Sequence, residues 1–148
     1  MKKIIIINGP NLNLLGFREK EIYGDESFED MYKELKKLAQ DKEVELLYFQ
    51  SNDEGEILDR IHQCIGEVDL IIINPGALTH YSYSLHDAIL AVKIPVIEVH
   101  ISNIFKREDW RRKSVVSPAV LGVISGFGLE SYRLALLYAL DYIKGCKK

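Results

Sequence analysis

The chain is poor in cysteine, with only Cys64 and Cys146. Two such distant thiols exclude a disulfide framework and suit a reduced interior. Proline (4) and glycine (10) are sparse and no segment is low in complexity, which excludes collagen-like and disordered classes. Long apolar runs are missing too. The longest purely aliphatic ones, Ile4–Ile7 and Leu70–Ile73, fall far short of the roughly 18 residues a spanning helix needs. The stretch behind Met1-Lys2-Lys3 is too short for a signal peptide, so a cytoplasmic protein without membrane contact is expected. Basic residues are outnumbered 19 to 22, a net charge of −3, so the global field gives no reason to expect nucleic acid or anionic lipid as a partner. At 148 residues the chain is expected to be one domain and is too short for an eight-stranded α/β barrel, which needs roughly 250.

What is present is an alternation of aliphatic runs and amphipathic segments. Strands are expected at Lys3–Asn8, Glu43–Gln50, Asp69–Asn74, Val96–His100 and Ala119–Ser125, each rich in Ile, Val or Leu and bounded by turn formers. Three are continuous apolar runs, as in parallel strands covered on both faces. Helices are expected near Ser27–Gln40, Glu56–Ile65, Ser82–Val92 and Glu130–Lys144. In the first, Phe28, Met31, Leu35 and Leu38 recur at three- and four-residue steps. The last is apolar around most of its circumference, so it is either deeply covered or part of a subunit contact. This order describes an α/β, flavodoxin-like, doubly wound sheet of five parallel strands, order 2-1-3-4-5, with helices on both faces.

That fold locates a site. Open α/β sheets bind ligands beyond the carboxyl ends of the strands where strand order reverses, here between the first and third strands. The residues leaving those ends are Asn8-Gly9-Pro10-Asn11, Gln50-Ser51-Asn52-Asp53 and Asn74-Pro75-Gly76, while strand four ends Glu98-Val99-His100 and runs into Ile101-Ser102-Asn103. Carboxamides both donate and accept, which suits a neutral ligand that is rich in hydroxyls or bears a carbonyl.

Glu98 and His100 stand two apart on a strand and so share a face. A carboxylate beside an imidazole orients the ring and favours its protonated form, as a general acid requires. The segment Gly9–Gly24 is too long for a simple turn, and its glycines are wrongly spaced for a phosphate-binding loop. It reads as a mobile active-site flap at about residues 16–24, carrying Arg18 and Tyr23. A tyrosine, with an ordinary pKa of about 10, needs a nearby cation to act as a base near neutrality. Arg18 is a cation that does not compete for the proton.

Other clusters read more plainly. His62, Cys64, His80 and His86 lack the spacing of a zinc site, so no metal is expected. The basic stretch KREDWRRK (106–113) contains two acids and suits an anion-binding lid or a solvated face better than nucleic acid. Gly126-Phe127-Gly128 lacks the third glycine of a dinucleotide fingerprint and reads as a tight strand-to-helix turn.

The motifs GPNLNLLG (9–16), R-E-x-x-I-Y-G (18–24), QSN-x-EG (50–55), INPGA-x-TH (73–80), IPVIEVHISN (94–103), the R-E-x-[FW]-R pattern at Arg107–Arg111 and GVISGFG (122–128) run through nearly the whole chain. Together they make it resemble the type II 3-dehydroquinate dehydratases. The resemblance implies dehydration of 3-dehydroquinate to 3-dehydroshikimate by anti elimination through an enol or enolate, without a cofactor or Schiff base. It implies Tyr23 as proton acceptor, Arg18 as transition-state stabiliser, Asn11 holding a water at the enolate oxygen, His100 as proton donor and Glu98 as its orienter. It further implies substrate contacts from the backbone N–H groups of Ile101 and Ser102 and from Asn74, His80 and Arg111. Asp87 would serve a neighbouring subunit in a dodecamer built from trimers. The chain departs from the family pattern at Phe17, Asp53 and His86, and Tyr81 and Tyr83 are bulkier than expected. The competing class is a flavodoxin-like binding or signalling domain without catalysis. A receiver domain would need an acidic pair where this chain has Asn8-Gly9, and a flavin module would make the protein yellow.

Overall fold

A computed structural model describes residues 1–15 and 27–145. Five parallel strands, β1 (Lys2–Asn8), β2 (Val44–Gln50), β3 (Leu70–Asn74), β4 (Val96–His100) and β5 (Gly122–Ser125), form one sheet in the order β2-β1-β3-β4-β5. Among the described residues, four α-helices connect or follow them: α1 (Phe28–Asp41), α2 (Glu54–Gln63), α3 (Tyr83–Val92) and α4 (Glu130–Gly145). This is the expected flavodoxin-like architecture.

The aliphatic runs are explained by burial on two sides. Successive side chains of a strand face opposite ways, so Ile4 and Ile6 pack with Met31 and Leu35 of α1 and Leu136 of α4. Ile5 and Ile7 pack with Ile57 and Ile61 of α2 and Leu85 and Ile89 of α3. All four isoleucines of β1 are fully buried, each contributing about 1.5–3 kcal/mol of transfer free energy.

Helix starts follow side-chain caps. Ser27 accepts from the N–H groups of Glu29 and Asp30 (3.1 and 3.4 Å), and Ser82 accepts from that of Leu85 (3.0 Å). Asp53 accepts from the N–H of Glu56 (3.2 Å), so α2 begins two residues earlier than its apolar periodicity predicts. The departure at Asp53 is thus a helix cap. At the other end of the fold, β5 is shorter than the expected Ala119–Ser125. Pro118 supports a short 3-10 helix, Ser117–Ala119, because its fixed φ suits a helical turn and it lacks the N–H a ladder needs.

Helix α4 is covered along one side and open along the other within the single chain. Tyr132, Ala135, Leu136, Ala139 and Ile143 are buried, whereas Leu134, Leu137 and Tyr138 are open in the single chain. Tyr138 lies beside the exposed Leu121 and Val123 at the β5 edge, and Leu134 also lies near Val123. Among the described residues, no helix is long and apolar enough to cross a membrane.

Candidate active site

The loops leaving β1 and β3 are locked together at the switch point. The N–H of Gly9 donates to the carbonyl of Asn74 (2.8 Å), and a Cβ on Gly9 would stand 2.6 Å from the Pro75 carbonyl oxygen. Only glycine fits there. Gly76 returns the contact with a positive φ of 61°, its Cα facing the backbone of Pro10. Asn11 adopts the left-handed region (φ 71°), which asparagine tolerates better than most residues. Its N–H donates to Asn52 Oδ1 (2.9 Å), and Gln50 Nε2 donates to the Gly9 carbonyl (3.1 Å). The second loop therefore fixes the first.

On β4 the expected pair is present. His100 Nε2 lies 2.5 Å from Glu98 Oε2, with Glu98 fully buried and His100 5% exposed. Glu98 has two further donors, Thr79 Oγ1 at 2.5 Å on Oε2 and Ser117 Oγ at 2.8 Å on Oε1. Burial pushes the carboxyl group up, but the hydrogen bonds and charge of His100, with the two hydroxyl donors, outweigh it and hold Glu98 below the usual carboxylate range. An ionised Glu98 makes Nε2 the donor of the short bond and leaves Nδ1 as the ring nitrogen not engaged by the carboxylate. Behind this strand, Gly126 and Gly128 donate to the carbonyls of His100 and Ile101 (3.1 and 2.9 Å), and Ser125 Oγ donates to that of Ser102 (3.0 Å). The Gly126–Gly128 turn is the tight turn expected, and it holds the end of β4 in place.

A cavity of about 260 Å³ opens in front of these residues. Asn11, Asn74, His80, His100, Ile101, Ser102 and Arg111, all expected site residues, line it. His80 Nδ1 lies 2.7 Å from the Lys113 carbonyl. A carbonyl only accepts, so Nδ1 carries a proton. Burial, with the charges of His100 and Arg111, holds His80 below the usual imidazole range against the opposing pull of that carbonyl. The neutral ring then offers Nε2 as an acceptor for a hydroxyl. Arg111 donates to Glu108 Oε1 (2.6 Å) and its guanidinium lies 4.0 Å from the centroid of the Trp110 ring, which fixes the fork beside the cavity.

Two of the expected residues do not line this chain's cavity, and two lie beyond its description. Asp87 is exposed on α3 and does not line it. Glu98 stands behind His100 rather than on the wall. Arg18 and Tyr23, with Phe17 and the rest of the expected flap, lie outside the described residues, as does Cys146. His86 Nδ1 donates to the Val115 carbonyl (2.8 Å), tying α3 to the segment before Ser117. Tyr81 and Tyr83 are exposed and do not crowd the cavity.

Several residues were not assigned from the sequence. Arg107 lines the cavity with its Nη1 3.1 Å from Ser102 Oγ. It is the first residue of the R-E-x-[FW]-R motif, whose last residue, Arg111, is the one the family resemblance assigns to substrate. Thr79 and Ser117 escaped because hydroxyl residues are common in loops, and only the burial of Glu98 makes them necessary. A larger, shallower depression of about 950 Å³, lined by residues such as Lys2, Lys42 and Asp141, lies at the opposite ends of the strands and contains none of this chemistry. Among the described residues, no group of three or more His, Cys, Asp and Glu is placed to hold a metal.

Comparison with known proteins places the whole arrangement in context. A family model described as "Dehydroquinase class II" matches residues 2–140. A "3-dehydroquinate dehydratase" of Caldicellulosiruptor bescii is 62% identical over 144 residues, 97% of this chain and 99% of the relative. One from Carboxydothermus hydrogenoformans is 54% identical over 96% of this chain and 92% of the relative. Among solved structures, a type II dehydroquinase from Butyrivibrio crossotus superposes with a TM-score of 0.90 at 46% identity, covering 95% of this chain and 97% of the other.

Proposed function

The chain belongs to the class II dehydroquinase family, and from that premise we propose how its residues carry out the family's reaction. It is a hydro-lyase that dehydrates 3-dehydroquinate, a step of the shikimate pathway. The reaction poses two problems, since a proton beside a ketone is only weakly acidic and a hydroxyl is a poor leaving group. A separate base and acid answer them.

The observation that carries the reading is the Glu98–His100 pair, short, buried and facing a cavity rich in amides and arginines. His100 protonates the departing hydroxyl. Glu98, held anionic by its three donors, pairs with the imidazolium and fixes its orientation. Tyr23, supported by Arg18, removes the α proton by resemblance to the family, and the enolate that forms meets a water held by Asn11. The departure is anti, and no bond forms between enzyme and substrate. The substrate carboxylate meets the backbone N–H groups of Ile101 and Ser102, with Arg107 and Arg111 supplying positive charge that the net −3 of the chain conceals. His80 Nε2 accepts from a ring hydroxyl, and Asn74 bonds another. No lysine lines the cavity among the described residues, which supports a route without an imine.

We take the chain as one catalytic domain that works in the cytoplasm as a homododecamer built from trimers. The exposed Leu134, Leu137 and Tyr138 of α4 and Val123 of β5 support a subunit contact. The exposed position of Asp87 supports its acting in a neighbour's site. Mixing the purified protein with 3-dehydroquinate in the presence of EDTA is expected to produce the absorbance of the conjugated enone. Absence of that rise at neutral pH would sink the reading. A flavodoxin-like domain without chemistry would give that silent outcome.

A further inference from the structure

One buried titratable group has no part in the mechanism above. Tyr132 of α4 is fully buried, and its hydroxyl reaches the ends of β1 and β3, where Asn8 and Asn74 are register partners. The hydroxyl donates to Asn8 Oδ1 (2.7 Å). A phenol has one proton, so its second contact, 3.0 Å to Asn74 Nδ2, is the amide donating to the phenol oxygen. On its other side, the Asn74 oxygen accepts from the Gly76 N–H (3.1 Å). The Asn74 amide therefore cannot be turned over: its nitrogen faces a lone pair and its oxygen faces a donor. One N–H and one lone pair remain for other partners.

The rest of the network is closed. Asn8 Nδ2 donates to Tyr48 (3.3 Å), and Phe28 packs against the rings of both Tyr48 and Tyr132 (5.2 and 5.1 Å between centroids). Burial pushes the Tyr132 phenol far above its ordinary range, so its proton stays in place and the donor sense of the chain does not change with pH. Among the described residues, no buried side-chain polar atom lacks a partner.

We propose that Tyr132 is a positioning residue that fixes the amide sense and side-chain rotamer of Asn74, so that the remaining hydrogen-bonding capacity of Asn74 meets a substrate hydroxyl. This rests on the reading of Asn74 as a substrate-binding residue. Tyr132→Phe keeps the ring and its packing, removes the anchor of Asn74 and leaves Asn8 Oδ1 without its donor. Its KM for 3-dehydroquinate is expected to rise about tenfold, with kcat within about twofold of the parent.

The test is a steady-state cycle on the full chain with Asn74→Ala, Tyr132→Phe and the double variant, each checked by near-ultraviolet circular dichroism. Non-additivity supports the proposal: Asn74→Ala raises KM, and adding Tyr132→Phe raises it no further. Additive effects, or a Tyr132→Phe variant that loses kcat at unchanged KM, overturn it. A normal KM in Asn74→Ala instead overturns the reading of Asn74 and the proposal with it. Asn8→Ala provides a second path should Tyr132→Phe not fold. It removes the acceptor that holds the Tyr132 proton away from Asn74, so the phenol no longer presents its lone pair to Asn74 Nδ2 in one fixed geometry; KM then rises, and an unchanged KM contradicts the proposal.

Discussion

His100→Ala is expected to lower kcat about a thousandfold while KM changes far less, because a general acid acts in the transition state and not in ground-state binding. The elimination expels a hydroxyl, and without a proton from His100 the group leaves as hydroxide. The structure argues that this loss is chemical rather than a collapse of the site. Glu98 retains Thr79 and Ser117 as donors when the imidazole is gone, and the carbonyl of residue 100 is still held by the Gly126 N–H. The variant should therefore fold, with some loss of thermal stability from the buried carboxylate that has lost one partner. Steady-state rates and a melting curve check both parts, and near-native kcat would remove His100 from the role of acid.

Tyr23→Phe is expected to have an effect of the same size, about a thousandfold in kcat, since it deletes only the oxygen that takes the proton. The ring remains, so substrate affinity should be close to that of the parent. A tyrosine is a poor base at neutral pH unless a cation favours its phenolate, and Arg18 supplies that cation in the reading given above. Single-turnover measurements with 3-dehydroquinate separate the proton-transfer step from product release. A variant that keeps most of its single-turnover rate would assign the base elsewhere.

Much of this was legible in the sequence for identifiable reasons. The continuous runs of β1 and β3 announced strands covered on both faces, and the two-residue spacing of Glu98 and His100 put them on one face at the end of β4. The position of the cavity followed from strand order alone. What the sequence hid were roles defined by burial and by long-range contact. Thr79 and Ser117 are ordinary loop residues until Glu98 is seen to be sealed from water between them. Tyr132 read as one apolar position of a helix, and its hydroxyl acquires meaning only where α4 passes beneath β1 and β3, 124 residues from Asn8 and 58 from Asn74. Arg107 differs from Arg111 by nothing local, yet both reach the cavity. Asp53 looked like a departure from the family motif and turned out to cap α2. Asp87, which the family resemblance assigns to a neighbouring subunit's site, does not line this chain's own cavity, and a single sequence does not display its neighbours.

The proposed elimination uses a base and an acid, with no covalent bond between substrate and enzyme. Its most direct test is sodium borohydride added to the enzyme during turnover of 3-dehydroquinate, followed by the intact mass of the chain. The mass is predicted to be that of the unmodified protein. A chain heavier by one reduced substrate would reveal an imine on a lysine and contradict the account.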